Sequence, residues 1–236
     1  MTAEPTESLS TEGVRTLEVR WIFPGELTST VAGWFARFPV ETTVLQDAYL
    51  LDPHLPGLSV KVRGGQALEV KVYRGSPGLF EVAGRARGRL ESWQKWSFPH
   101  GPACLDGRHS AGWRPVCKRR RIGRFSLADR LARARDRGSG EGPACAVELT
   151  DVRARGEAWW TLGFEATGPT GGLRSELEAA AALVFDVALP GGLELGVDDS
   201  RSYAQWLCRR PQALGSSPEP KGDPLADVSQ WIIPYS

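Results

Sequence analysis

Residues 58 to 75 read LSVKVRGGQALEVKVYRG, with apolar and charged side chains alternating on both sides of Gly64-Gly65. Neighbouring side chains of a strand point to opposite faces, so each half encodes a strand with one apolar face. The glycine pair supplies the turn between them. The polar face carries Lys61, Arg63, Glu69, Lys71 and Tyr73, and cations outnumber anions on it. A sheet has two ways to accommodate long cations on one face. An open sheet leaves them in water, with their stems covering apolar surface. A closed barrel turns them inward and acquires a charged lumen. At this point both remain open.

The same asymmetry extends over the middle of the chain. Net charge is only +1, which gives no global signal for a polyanionic partner. Yet residues 61 to 124 hold 15 Lys and Arg against four acids (Glu69, Glu81, Glu91 and Asp106), a balance of +11, and the remainder is −10. Segregation of this kind points to a site with one cationic wall. Arg outnumbers Lys by 24 to five, but four of the five lysines (Lys61, Lys71, Lys95 and Lys118) fall in strand-like segments of the basic region.

The remaining segments supply a scaffold for these strands. Residues 1 to 13 are polar and aperiodic and are expected to be disordered. "TLEVRWIF" (16 to 23) alternates as a strand with Thr16, Glu18 and Arg20 on one face. Leu27, Val31, Trp34, Phe35 and Phe38 then fall on one face of an amphipathic helix. "TTVLQDAYLLD" (42 to 52) is a further strand, and residues 79 to 98 read as a long strand or a strand with a bulge, with Gly84 and Gly88 as candidate bends. Residues 99 to 114 read as a loop. "PVCKRRRIGRF" is a strand with Lys118 and Arg120 on one face and Arg119 and Arg121 on the other, followed by a short helix over 126 to 137. "ACAVELTDVRA" and "EAWWTLGFEATG" form a hairpin about Arg155-Gly156. Ser175 and Glu178 form a capping box opening a helix through Phe185. "SYAQWL" is a final short helix, and 209 to 229 is a Pro-, Gly- and Ser-rich linker before an apolar end, "WIIPY". About eight strands within residues 14 to 208 indicate one α+β domain, a mostly antiparallel β-barrel with helices packed outside. A lumen of that strand number holds one small ligand.

The order of these pieces resembles the CYTH, or triphosphate tunnel, family. The resemblance covers roughly residues 16 to 208. It rests on Thr16-x-Glu18-x-Arg20, "QDAYLLD", Lys61-x-Arg63, Lys71, Lys118-x-Arg120, "VELTDV", Phe164-Glu165 and Ser202-Tyr203. It implies a tunnel barrel that binds a nucleoside triphosphate or polyphosphate, with Arg20, Lys61, Arg63, Lys71, Lys118 and Arg120 on the phosphates. It also implies Mg2+ or Mn2+ on Glu18, Glu148 and Glu165, and metal-dependent phosphohydrolase activity. The opening strand departs from the family's Glu-x-Glu-x-Lys, because Thr16 stands for the first Glu and Arg20 for the Lys. One carboxylate on that strand makes a poor Mg2+ site, so the departure counts against metal-dependent cleavage and leaves the expectation of anion binding intact.

Opposed Arg and Lys on rigid strands suit clustered phosphate charge, because they neutralise it without reorganising and Arg adds bidentate geometry. The alternative is a solvated sheet face, with Glu18 in a structural ion pair. "CKRRRIGR" is short of a nucleic-acid motif because its cations split between two faces of a strand. The nine Trp residues are expected mostly in the core. His100, Cys104, His109 and Cys117 match no zinc spacing, and the four cysteines show no CxxC pairing, as in a reduced, cytoplasmic protein. No run of membrane-spanning length and no signal-peptide pattern occurs. The expected partner is thus a phosphorylated small molecule or polyphosphate, not nucleic acid or membrane. The alternative is a non-catalytic anion binder or a scaffold, with residues 230 to 235 as the dock for a protein partner.

Overall fold

The computed structural model describes residues 13–99, 112–126, 144–168 and 171–208. Alternation of apolar and charged residues dictates its main elements, which are strands β1 (Val14–Pro24), β2 (Glu41–Leu50), β3 (Leu58–Arg63), β4 (Ala67–Gly75), β5 (Leu79–Val82), β6 (Ala86–Arg89), β7 (Glu91–Pro99), β8 (Trp113–Phe125), β9 (Ala144–Ala154) and β10 (Glu157–Thr167). Eight of these close into a barrel in the order β1-β10-β9-β8-β2-β3-β4-β7, and every neighbouring pair is antiparallel. The turns are those the sequence marks. Gly64 and Gly65 sit at φ 55° and 74° in the 64–66 loop between β3 and β4, and Arg155 and Gly156 at 56° and 76° in the two-residue loop between β9 and β10, the left-handed conformation that such tight turns need.

Closure decides between the two expectations for the cationic face. Register pairing puts Glu18 opposite Glu165, Lys61 opposite Glu69, and Arg63 opposite Asp47, all on the inner face. The opposite parity carries the apolar set: Leu17, Val19 and Trp21 on β1, Val147 and Leu149 on β9, and Leu162, Phe164 and Ala166 on β10, all buried. Helix α1 (Ser29–Phe35), capped by Thr28, and helix α2 (Leu173–Val184) complete this core outside the barrel through Trp34, Phe35, Leu173, Leu177 and Val184. Helix α3 (Tyr203–Cys208) behaves differently. Its Trp206 and Leu207 pack with Ile22, Tyr49, Val116, Val152 and Ala154, inward-facing residues at one end of the barrel. Helices therefore cover the barrel outside, as expected, and one also stoppers part of an end.

Two local expectations are corrected. Residues 79 to 98 are not one strand. Gly84, at φ 64°, turns Leu79–Arg89 into a separate β5–β6 hairpin outside the barrel, and the barrel strand begins only at Glu91. The Ser175–Glu178 capping box does not form. Leu173 is buried in the core one turn before Leu177, which draws the helix start back to Gly172, so Ser175 lies inside the first turn and Glu178 pairs with Arg174. The expected disordered start (1 to 13, apart from Gly13), most of the 99–114 loop, the 126–137 helix beyond Ser126, and the linker and apolar tail lie outside the described residues.

Gly88 lets the β5–β6 hairpin lie on β1. A Cβ there would come within 2.6 Å of Val19 Cγ2 and 2.8 Å of Trp21 Cζ2, both fixed core atoms. Gly88→Ala is therefore expected to lower unfolding free energy by about 1–3 kcal/mol, as overpacking does. Denaturant melts against the unaltered protein measure it, and an unchanged midpoint contradicts this packing.

Candidate functional site

The cations that the sequence aligns on one parity converge in the barrel interior. Arg20, Lys61, Arg63, Lys71, Lys118, Arg120, Glu18, Glu148 and Glu165 all line one cavity there, about 70 Å3 in volume. This is room for a handful of waters. On β8 the two cationic faces separate by parity. Lys118 and Arg120 face the lumen, whereas Arg121 lies on the outer parity and pairs with Asp151 at 2.9 Å.

The cations do not stand alone. Asp47, 1% exposed, accepts from Lys118 Nζ at 2.8 Å and Lys61 Nζ at 3.5 Å through one oxygen. Lys118 Nζ also donates to the Tyr49 hydroxyl at 2.7 Å and lies 4.1 Å from the centre of the Tyr203 ring. Glu69 pairs with Lys61 at 3.2 Å and Arg63 at 3.0 Å. Glu148 is clamped by Arg120, whose Nε and Nη2 donate to one oxygen at 2.8 and 2.5 Å, while Arg20 and Thr150 donate to the other. Lys71 Nζ lies 2.6 Å from Glu18 and 3.3 Å from Glu165. Gly163 faces Arg20 across the β1–β10 pair. A Cβ there would fall 2.8 Å from the guanidinium carbon, so the missing side chain is what lets Arg20 lie flat toward Glu148.

These pairings set the ionisation of the lumen. Burial alone would raise Glu165, Asp47 and Glu148. Lys71 and Lys95 overcome that and hold Glu165 down at about 2. Lys118 and Lys61 hold Asp47 below the carboxylate range, and Arg20 and Arg120 do the same for Glu148. Glu91 is the exception. Burial, opposed by the Trp93 indole N–H and reinforced by the charge of Glu18, pushes it up to about 7.

The three carboxylates expected to hold Mg2+ or Mn2+ are not gathered into one set. Glu148 is held between two arginines, and Lys71 separates Glu18 from Glu165. Among the described residues no group of three or more His, Cys, Asp and Glu is arranged to hold a metal ion, so the donors as placed do not fit a divalent cation. His100, Cys104 and His109 lie outside the described residues. Sequence reading named the cations but missed several partners on the same lining: Asp47 and Tyr49 on β2, Glu91 and Trp93 on β7, and Arg89 and Arg201. The parity of "QDAYLLD" and of Glu91-x-Trp93-x-Lys95 was the available signal. Arg85 and Arg87, which share that parity, belong to the external hairpin.

No protein-family model matches the chain, and no curated protein matches it. Among solved structures, the triphosphatase of the Mimivirus capping enzyme matches with 12% identity and a TM-score of 0.38, covering 72% of this chain and 90% of that one. No helix among the described residues is long and apolar enough to cross a membrane.

Two outcomes follow from the pairing. Asp47→Ala leaves Lys118 and Lys61 without that carboxylate. Losing one partner of a buried pair costs about 3–5 kcal/mol, so unfolding free energy should fall by that order in chemical denaturation. Glu91 has a folded pKa above its ordinary 4.5, so its contribution to stability is full below the ordinary value and is lost as pH rises through about 7. Between pH 5 and 8 the native protein should lose on the order of 1–3 kcal/mol that Glu91→Gln, always neutral, does not lose. Parallel pH series for the two proteins would refute this placement of Glu91.

Proposed function

We propose that the barrel lumen binds a phosphate-rich anion, a nucleoside triphosphate or inorganic polyphosphate, through Arg20, Lys61, Arg63, Lys71, Lys118 and Arg120. The observation that carries this reading is the lining itself. Eight Lys and Arg and six acids face one cavity, and the excess of cations widens when Glu91 is protonated. A polyphosphate replaces internal carboxylates as the counter-charge. It gains from donors already fixed on strands, which need no reorganisation to meet it. A competing reading, favoured by the ion pair that each of these cations already makes, is a barrel filled by its own charges that binds nothing.

Calorimetry with tripolyphosphate in low-salt buffer containing chelator separates the two. The anion-binding reading expects saturable binding at one site. It should weaken as salt rises, fall at least about tenfold in Arg120→Ala, which removes a charge-assisted contact, and strengthen from pH 8 to pH 6 as Glu91 takes up its proton. Heat that never exceeds dilution, with tripolyphosphate and with ATP, leaves the ion-paired barrel standing. Phosphate release on adding Mg2+ or Mn2+ to the same mixture would add hydrolysis to binding. The cytoplasm is the compartment this reading fits, since soluble polyphosphates and nucleotides are met there.

A further inference from the structure

Glu18 and Glu165 are register partners on β1 and β10, and both point into the lumen. Two facing carboxylates are the kind of donor pair a hard divalent cation takes, completing its shell with water and phosphate oxygens. That position is filled by the chain itself. Lys71 Nζ, delivered from β4, sits 2.6 Å from Glu18 Oε1 and 3.3 Å from Glu165 Oε1. Thr16 Oγ1 donates at 2.6 Å to the same Glu18 oxygen, and Lys95 Nζ approaches Glu165 Oε1 at 3.8 Å. Lys71 stays there because its strand is locked in the barrel, with Lys71 paired to Lys95 of β7 and to Ser59 of β3.

We infer that the Lys71 ammonium is a built-in counter-cation standing where a divalent ion would bridge Glu18 and Glu165, so that this lumen is charge-complete without metal. A Mg2+ ion bonded to these oxygens would lie about 2.0–2.1 Å from each, which puts it within a few Å of the ammonium and in competition for the same lone pairs. Two positive centres that close repel strongly in a partly dry interior. The tethered ammonium also needs no dehydration from bulk water at the moment an anion arrives. The chain's own sequence fits this reading. Where the opening strand would need a second carboxylate to add to a metal shell, it carries Thr16, whose hydroxyl donates to Glu18 instead of binding a cation.

The inference goes beyond anion binding and does not need it, because the test contains no anion. The full chain is titrated with Mn2+, and free Mn2+ is followed by its electron paramagnetic resonance signal. The unaltered protein should leave the signal unquenched, with any Kd weaker than about 1 mM. Lys71→Ala should gain one Mn2+ site at least about tenfold tighter. Adding Glu18→Gln to that variant should remove the gain. A site with Kd below about 100 µM in the unaltered protein, abolished by Glu18→Gln, overturns the inference. So does a folded Lys71→Ala, checked by its thermal melt, that gains no site. If Lys71→Ala does not fold, Lys71→Met, which keeps the stem and drops the charge, takes its place, and the titration of the unaltered protein decides by itself. Tripolyphosphate binding lost with Mn2+ exclusion intact would sink the anion reading and leave this one in place.

Discussion

Everything inside this barrel depends on charge being balanced where water is scarce. Closing eight strands turns the polar parity of each one inward, and on β3 and β8 that parity is cationic, while β1 and β4 each carry a cation beside a carboxylate. An isolated ammonium or guanidinium in such a place carries a desolvation cost of several kcal/mol. The chain meets that cost by interleaving cationic with acidic strands around the ring. Asp47 comes from β2 beside β3 and β8, Glu148 from β9 beside β8, and Glu18 and Glu165 from β1 and β10 near β4. Strand order thus does electrostatic work.

That interleaving explains what was legible in the sequence. Strand parity is a local property, so the inward sets on β1, β3, β4 and β8 could be read directly, and the apolar sets facing the other way supported them. Which carboxylate meets which cation depends on register between strands far apart in the chain, such as Asp47 with Lys118. No local pattern encodes such a meeting. The misread segments have a related cause. The 79–98 stretch keeps a strand-like period through Gly84, and only the need to enter the barrel at Glu91 separates hairpin from wall. Ser175 and Glu178 have the spacing of a cap, but burial of Leu173 outweighs a contribution of about 1 kcal/mol from capping.

The two ends of the lumen are built from different chemistry. Toward α3 the inward positions turn apolar, through Ile22, Val116, Val152 and Ala154, and Trp206 and Leu207 fill the space. Tyr49 and Tyr203 stand at the boundary, their rings beneath Lys118 and their hydroxyls raised by burial to pKa values of about 12. They stay protonated at all physiological pH values, so they stabilise the cation with ring faces and dipoles and add no negative charge. This is how the lumen keeps a cationic excess next to an apolar stopper.

A lumen whose cations are already paired gives an incoming anion a particular kind of competition. The carboxylates of Glu148, Glu165 and Asp47 are fixed in place and stay ionised, so an external group gains only the difference between itself and them. A monovalent anion cannot exceed one carboxylate by much. A polyphosphate, the ligand proposed above, would bring several charges on one backbone, and losing its translational freedom once would engage Arg120, Arg20 and Lys71 together. On that reading internal pairing would act as a filter, holding the cations in place for a multivalent ligand and leaving the lumen indifferent to single charges.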